Sequence, residues 1–217
     1  MRLASILDEI VFVGGAVLGL LITDPAASPV RQTADVDVIA EIATHADYLL
    51  FSERLRRAGL AEDAGETPLL CRWRHGGLIL DVLPLTADVL GFTNRWYEQA
   101  YRHAAMHTLP GGVSIRVITA PYFLGTKIEA FRGRGRKDYQ ASHDLEDFVA
   151  IIEGRDTLLD EIRRAPRELQ LYLAEAVSEL LSEPRFMDFL SGFVVDNSRV
   201  PMVEERLRAL GVKPGKE

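Results

Sequence analysis

From Met1 to Ala120, short apolar runs suited to buried strands alternate with stretches whose apolar side chains recur every three or four positions, as on one helix face. Val11-Phe12-Val13 is the first such run, made of the branched and aromatic side chains that fit a pleated, covered surface. Gly14-Gly15 interrupts it, Ala16 to Ile22 then reads as helical, and a second apolar strand carries Asp35-Val36-Asp37-Val38. Between them, Asp24-Pro25-Ala26-Ala27-Ser28-Pro29 has the turn chemistry of an inserted loop. Thr44 to Ala58 predicts an amphipathic helix with Tyr48, Leu49, Phe51, Leu55 and Ala58 as its apolar stripe and Gly59 as its stop. A polar loop, Ala61 to Thr67, leads to two strand-like runs, Leu69 to Trp73 and Leu78 to Leu83. Their connection, Arg74-His75-Gly76-Gly77, predicts a hairpin. Leu3 to Ile10 and Asn94 to Ala105 read as further helices, and Val113 to Ile118 as a further strand.

Beyond that point the strand signals cease. Pro121 opens a long helix reaching about Phe131, and Arg132-Gly133-Arg134-Gly135-Arg136-Lys137 then breaks the pattern, predicting a basic, flexible loop. Ser142 suits the N-cap of the next helix, with Asp144, Glu146 and Asp147 in its first turns and Phe148, Ile151 and Ile152 as its buried stripe. Thr157 to Ala165, Pro166 to Leu181, Pro184 to Leu190 and Val200 to Leu210 are helical segments punctuated by proline and glycine. The expected fold class is α/β, of the α+β kind: a mixed sheet flanked by helices over residues 1–120, then a helical portion over residues 121–217 that contributes to the active site.

Composition narrows the setting. A chain of 217 residues, 47% hydrophobic and 26% charged, can bury a sizeable core. Its net charge of −7 argues against a surface coated with basic residues for general nucleic-acid binding, while leaving room for a local basic patch. The single cysteine, Cys71, excludes an internal disulfide framework and a cysteine-rich zinc site, so a reducing, cytoplasmic location is expected. Val11 to Ile22 is too short to span a bilayer and is broken by glycines, so no membrane association is expected. His103 and His107, four apart, could share a helix face, but no neighbouring acid or cysteine completes a zinc site.

The chemistry gathers at the first two strands. Glycines at positions 14 and 15 would let the backbone approach a phosphate closely, with the start of the following helix beside them. Asp35 and Asp37, two apart on a strand, point to one face, where their mutual repulsion is relieved by a shared cation or by open water. A divalent metal is the economical reading, and Asp81, one acid inside Leu78 to Leu83, is a candidate third ligand. Arg31 and Thr33, at alternate positions just before the acids, would add a guanidinium and a hydroxyl to the same face.

A glycine pair after one strand and an Asp-x-Asp on the next resemble the signature of the DNA polymerase β-like nucleotidyltransferase superfamily, which adds a third carboxylate on a later strand. Arg31-Gln32-Thr33-Ala34-Asp35-Val36-Asp37 further resembles the Arg-x-Ser/Thr-x-Asp-x-Asp pattern of the AbiEii-type nucleotidyltransferase toxins of type IV and related toxin–antitoxin systems. That family also carries a helix-borne lysine and then an Arg/Lys-Asp-x-x-Asp-Leu-x-Asp segment. Here Lys127 lies within Tyr122 to Phe131, followed by Lys137-Asp138 and His143-Asp144-Leu145-Glu146-Asp147. The resemblance spans Phe12 to Ile152 and departs from the pattern in the long linker before Asp35 and in the extra residues between Asp138 and Asp144.

The resemblance implies transfer of NMP from an NTP to an acceptor hydroxyl with release of pyrophosphate, for the toxins at the 3′ end of tRNA. It implies that Asp35, Asp37 and Asp81 hold Mg²⁺ (or Mn²⁺) and that Gly14, Gly15, Arg31, Thr33 and Lys127 bind the nucleotide. Asp35, Asp37, Lys127 and Asp144 would be catalytic, Asp144 by orienting the lysine or assisting proton transfer. The expected partners are NTP, tRNA at the basic loop (Arg132, Arg134, Arg136, Lys137) and a cognate antitoxin. Alternatives stand beside this reading: a small-molecule nucleotidyltransferase of the aminoglycoside or lincosamide type, or a non-catalytic nucleotide-binding module. Residue by residue, Asp35 and Asp37 could face water on an edge strand, and Lys127 and Asp144 could form a surface ion pair between adjacent helices.

Overall fold

The computed structural model describes residues 6–64, 71–134 and 138–215. The strands are β1 (Ile10–Val13), β2 (Asp35–Ala40), β3 (Ala61–Glu62), β4 (Arg72–His75), β5 (Leu78–Pro84), β6 (Ala105–Thr108) and β7 (Ser114–Val117). The helices are α1 (Leu18–Leu21), α2 (His45–Arg57), α3 (Ala87–Leu90), α4 (Tyr97–Arg102), α5 (Ala120–Arg134), α6 (His143–Gly154), α7 (Leu158–Arg164), α8 (Arg167–Ser182), α9 (Pro184–Phe193) and α10 (Val200–Leu210). The chain forms two compact units, Met1–Val17 with Gln32–Thr119, and Leu18–Arg31 with Ala120–Glu217. The expected class holds: a mixed α/β fold with a helical C-terminal part.

The first unit is built on one seven-stranded sheet in the order β3-β4-β5-β2-β1-β7-β6. β2 runs parallel to β5 and β1 parallel to β7, and the remaining pairs are antiparallel. β2 is therefore an interior strand, flanked by β1 and β5 from Asp37 onward, which removes the edge-strand reading of Asp37; Asp35 lies beyond the paired residues of β1 and pairs with β5 alone. Its buried end, Val38, Ile39 and Ala40, joins Ile10, Val11, Trp73, Leu80 and Val82 in the core. Thr44 caps α2 reciprocally: its hydroxyl accepts from Asp47 N at 3.1 Å, while the Asp47 carboxylate accepts from Thr44 N at 2.9 Å.

Several expectations shift locally. Leu49 is 54% exposed, because the buried face of α2 is Phe51, Ser52 and Leu55, and Leu49 lies a quarter-turn or more off that line. Leu7–Glu9, read as helix, is a 3-10 turn, and Ile10 already belongs to β1. Residues 1–5 and the start of the strand expected from Leu69 lie outside the described residues. Asn94 to Ala105 is helical only over α4, and Ala105 opens β6, which pairs with β7 through Met106↔Arg116. His103 is the C-cap of α4 and His107 lies in β6, so the two share no helix face.

In the second unit α5 and α6 pack together with α8 and α10, burying Phe123, Leu124, Ile128, Leu145, Phe148, Ile152, Leu173, Val177, Val203 and Leu207. Ser142 caps α6 by accepting from Leu145 N at 3.3 Å. The inserted-looking loop belongs to this unit. Thr23 N and Asp24 N donate to Gly154 O at 2.8 and 3.0 Å, and Arg199 pairs with both Asp24 and Glu153. A Cβ on Gly154 would stand 2.8 Å from Ile22 Cγ2, so the small residue is what lets the strand-to-strand linker lie against the end of α6. Among the described residues no helix is long and apolar enough to cross a membrane.

Candidate active site

Parallel pairing of β2 with β5 sets the geometry. Asp37 is in register with Asp81, and Asp35 with Ile79, so the three aspartates share one face of two neighbouring strands. Val13 of β1 faces Asp37 from the other side, and Arg72 of β4 pairs with Asp81. Asp35 and Asp37 are half-buried, whereas Asp81 is 8% exposed.

Gly14 follows Val13 with φ +68, a left-handed backbone that disfavours any side chain. A Cβ there would stand 2.0 Å from Asp37 Oδ2. What the glycine admits is thus the Asp37 carboxylate, seated against the Gly14 backbone. Of the two glycines only Gly14 has positive φ; Gly15 opens a three-residue 3-10 turn, Gly15–Val17. The helix that follows, α1, has four residues, too few to build an appreciable dipole for a phosphate.

The side chain that sequence reading missed is Arg72. Its Nε donates to Asp81 Oδ1 at 2.8 Å and one Nη to Asp81 Oδ2 at 2.6 Å, a two-pronged ion pair, and the same Nη donates to Asp35 Oδ2 at 3.1 Å. Hydrogen bonding to Asp81, reinforced by the fields of Asp81, Asp35 and Asp63, holds the guanidinium above its ordinary pKa against the opposing effect of burial. Thr33 completes the set, its hydroxyl donating to Asp35 Oδ1 at 2.7 Å. The signal for Arg72 lay in its alternation with Arg74 on a strand hairpin-paired to Asp81, visible only once the hairpin register is known.

Three carboxylates are the donor type that a hard divalent cation takes, and Gly14 leaves room for that of Asp37. Among the described residues no three His, Cys, Asp or Glu side chains are placed so as to hold a metal ion together. The group on which Asp35 and Asp81 converge is Arg72.

The second unit holds its own charged cluster. Lys127 on α5 donates to Asp144 Oδ1 at 3.2 Å and approaches Asp147 Oδ2 at 2.6 Å, both on α6. Lys127, Asp144 and Asp147 are 8%, 7% and 1% exposed, so the ion pair between adjacent helices is buried and not a surface one. Asp147, the last acid of the His143-Asp144-Leu145-Glu146-Asp147 segment and one to which the resemblance gave no role, is the nearer partner. Its contact with Lys127 is an ion pair without hydrogen-bond directionality. Arg31 also belongs here: it lies 3.6 Å from both Glu146 and Asp147. Thr33, the other member of the Arg-x-Thr pair, bonds to Asp35.

Of the expected basic loop, Arg132, Gly133 and Arg134 continue α5, and Arg136 and Lys137 lie outside the described residues. Arg132 pairs with Glu179 and stacks over Tyr172. Cys71 is buried next to β4, and burial pushes its thiol up to about 11.

No family model matches the chain, and no curated protein matches it. The structure is similar to that of JHP933 from Helicobacter pylori, with 12% sequence identity and a TM-score of 0.47, over 97% of this chain and 87% of that one. It is also similar to a protein from H. pylori described as a "putative nucleotidyltransferase", with 14% identity and a TM-score of 0.44, over 98% of this chain and 88% of that one.

Proposed function

We propose that this chain is a metal-dependent nucleotidyltransferase that moves NMP from an NTP to an acceptor hydroxyl and releases pyrophosphate. The observation that carries the reading is the in-register pair Asp37 and Asp81 with Asp35 on the same face, Asp37 resting against the left-handed Gly14. Asp35, Asp37 and Asp81 would hold Mg²⁺ or Mn²⁺; when bound, the ion neutralises phosphate charge and lowers the pKa of the attacking hydroxyl. The chain's own contribution is orientation. Gly14 leaves Asp37 its place, Thr33 bonds to one oxygen of Asp35, and Arg72 holds the plane of the Asp81 carboxylate. Lys127 is proposed to neutralise triphosphate charge, with Asp144 and Asp147 holding its ammonium.

The toxin reading, with tRNA 3′ ends as acceptor and an antitoxin as partner, follows from the motif resemblance and is proposed on that footing. Incubation of the protein with each labelled NTP, Mg²⁺ and either tRNA or an antibiotic panel decides the acceptor. Label joined to tRNA by the wild type and lost in Asp37→Asn is the expected result. Label on an aminoglycoside or lincosamide would replace the tRNA reading, and NTP binding without pyrophosphate release would leave a non-catalytic module.

A further inference from the structure

Both oxygens of Asp81 and both of Asp35 already accept hydrogen bonds from side chains of this chain. Arg72 serves Asp81 through two prongs at 2.8 and 2.6 Å, and reaches Asp35 through one contact at 3.1 Å; Thr33 takes the other oxygen of Asp35. The two Arg72 contacts are unequal. Asp81 is reached by two short bonds and its side chain is 11% exposed, whereas Asp35 is reached by one longer bond and its side chain is 37% exposed. A single charge-assisted bond to a hydrated carboxylate is the weaker of the two and the one a competing cation displaces first.

We propose that Arg72 is a built-in counter-ion that competes with a divalent cation for Asp35 while keeping its grip on Asp81. The proposal rests on the nucleotidyltransferase reading of the three aspartates. A guanidinium and a hard cation both seek the same carboxylate oxygens, and each disfavours the other through like charge, so the two occupancies are linked reciprocally. Asp81 need not lose the arginine, because each carboxylate oxygen has a second lone pair beyond the one that accepts from Arg72. Arg72 is therefore a positioning residue for Asp81 and, at the same time, a brake on cation binding at Asp35. A cation arriving with a nucleotide triphosphate would have the phosphate charge to receive the displaced guanidinium, coupling cation occupancy to substrate.

The test compares Mn²⁺ binding by calorimetry and thermal unfolding with and without Mn²⁺ for the full-length wild type, Arg72→Gln and Arg72→Lys, after chelator treatment and without nucleotide. Removing the competing charge is expected to tighten Mn²⁺ binding by about tenfold in Arg72→Gln, within the usual range of coupling between linked sites. The variant is also expected to gain more thermal stability from Mn²⁺ than the wild type does, and Arg72→Lys, which keeps the charge, to bind nearly as the wild type does. Equal or weaker Mn²⁺ binding by folded Arg72→Gln overturns the proposal. If that variant does not fold, the wild type decides: titrating diamagnetic Mg²⁺ should move the ¹⁵N resonance of the Arg72 guanidinium with the midpoint that calorimetry with Mg²⁺ gives, and an unmoved resonance overturns the proposal. Loss of this inference alone leaves cation-dependent NMP transfer intact, whereas an absence of cation binding in every variant removes the metal reading with it.

Discussion

Gly14 and Asp37 compete for one volume: a Cβ on the glycine would lie 2.0 Å from the aspartate Oδ2, at a φ of +68. Gly14→Ala is therefore expected to lose about 1–2 kcal/mol from the left-handed backbone alone, and more because the Asp37 carboxylate must move. Denaturant unfolding measures the loss. The variant Gly14→Ala/Asp37→Ala should be less destabilised than the sum of its single changes, since the second change removes Oδ2 and Cγ, the two Asp37 atoms nearest the added Cβ. Transfer activity should stay absent in the double variant. Additive stability losses would show that the contact carries no energy.

Neutralising the acids separates charge from shape. Asp37→Asn is expected to fold at close to wild-type stability, because the substitution keeps the volume beside Gly14 and relieves repulsion on the face it shares with Asp35 and Asp81. Its NMP transfer at saturating Mg²⁺ should vanish. Asp81→Asn should lose activity and also about 2 kcal/mol of stability, as Arg72 forfeits charge-assisted bonds at a mostly buried position. Wild-type turnover in Asp37→Asn would remove the aspartates from the chemistry.

Lys127 is expected to be costly to remove for a reason independent of catalysis. Lys127→Ala leaves Asp144 and Asp147 buried without their ammonium, a loss of about 3–5 kcal/mol. Adding Asp147→Asn to it should restore part of that stability, while turnover, if the lysine serves the triphosphate, should not return. Lys127→Arg should recover turnover only in part, because a planar guanidinium does not reproduce a point charge. Turnover unaffected by Lys127→Arg, Lys127→Ala and the double variant alike would confine the cluster to structure.

Cys71 gives a pH signature. Its thiol is raised from 9.0 to about 11, chiefly by burial and then by the field of Asp81, so above the lower value the unfolded chain releases a proton that the folded one keeps. Stability from this group is fully present below pH 9.0 and falls as pH rises through about 11. Thermal unfolding of the wild type between those limits should weaken more steeply than that of Cys71→Ala. Iodoacetamide should alkylate the native thiol slowly at neutral pH and the denatured one quickly.

The sequence by itself determined what depends on near neighbours. A two-residue repeat puts Asp35 and Asp37 on one face whatever the strand pairs with, and the cap at Ser142 is a hydrogen bond across three residues. The mixed sheet followed by helices was legible for the same reason, since apolar recurrence reports which face of each element is covered. Local pattern failed where a short strand lacks strong alternation, as in β6, and where glycine-interrupted residues such as Arg132 to Arg134 continue a helix that packs onto another. Only the tertiary structure decided the rest. The register of β2 on β5 brings Asp81 beside Asp37, the hairpin register hands Arg72 to Asp81 and Asp35, and the α5 and α6 packing gives Lys127 to Asp147. These partnerships join side chains far apart in the chain through backbone pairing and burial, energies that no window of adjacent residues contains. Gly14 shows the division: its left-handed turn could be suspected from glycine alone, but its occupant, the carboxylate of Asp37, is a fact of the folded sheet.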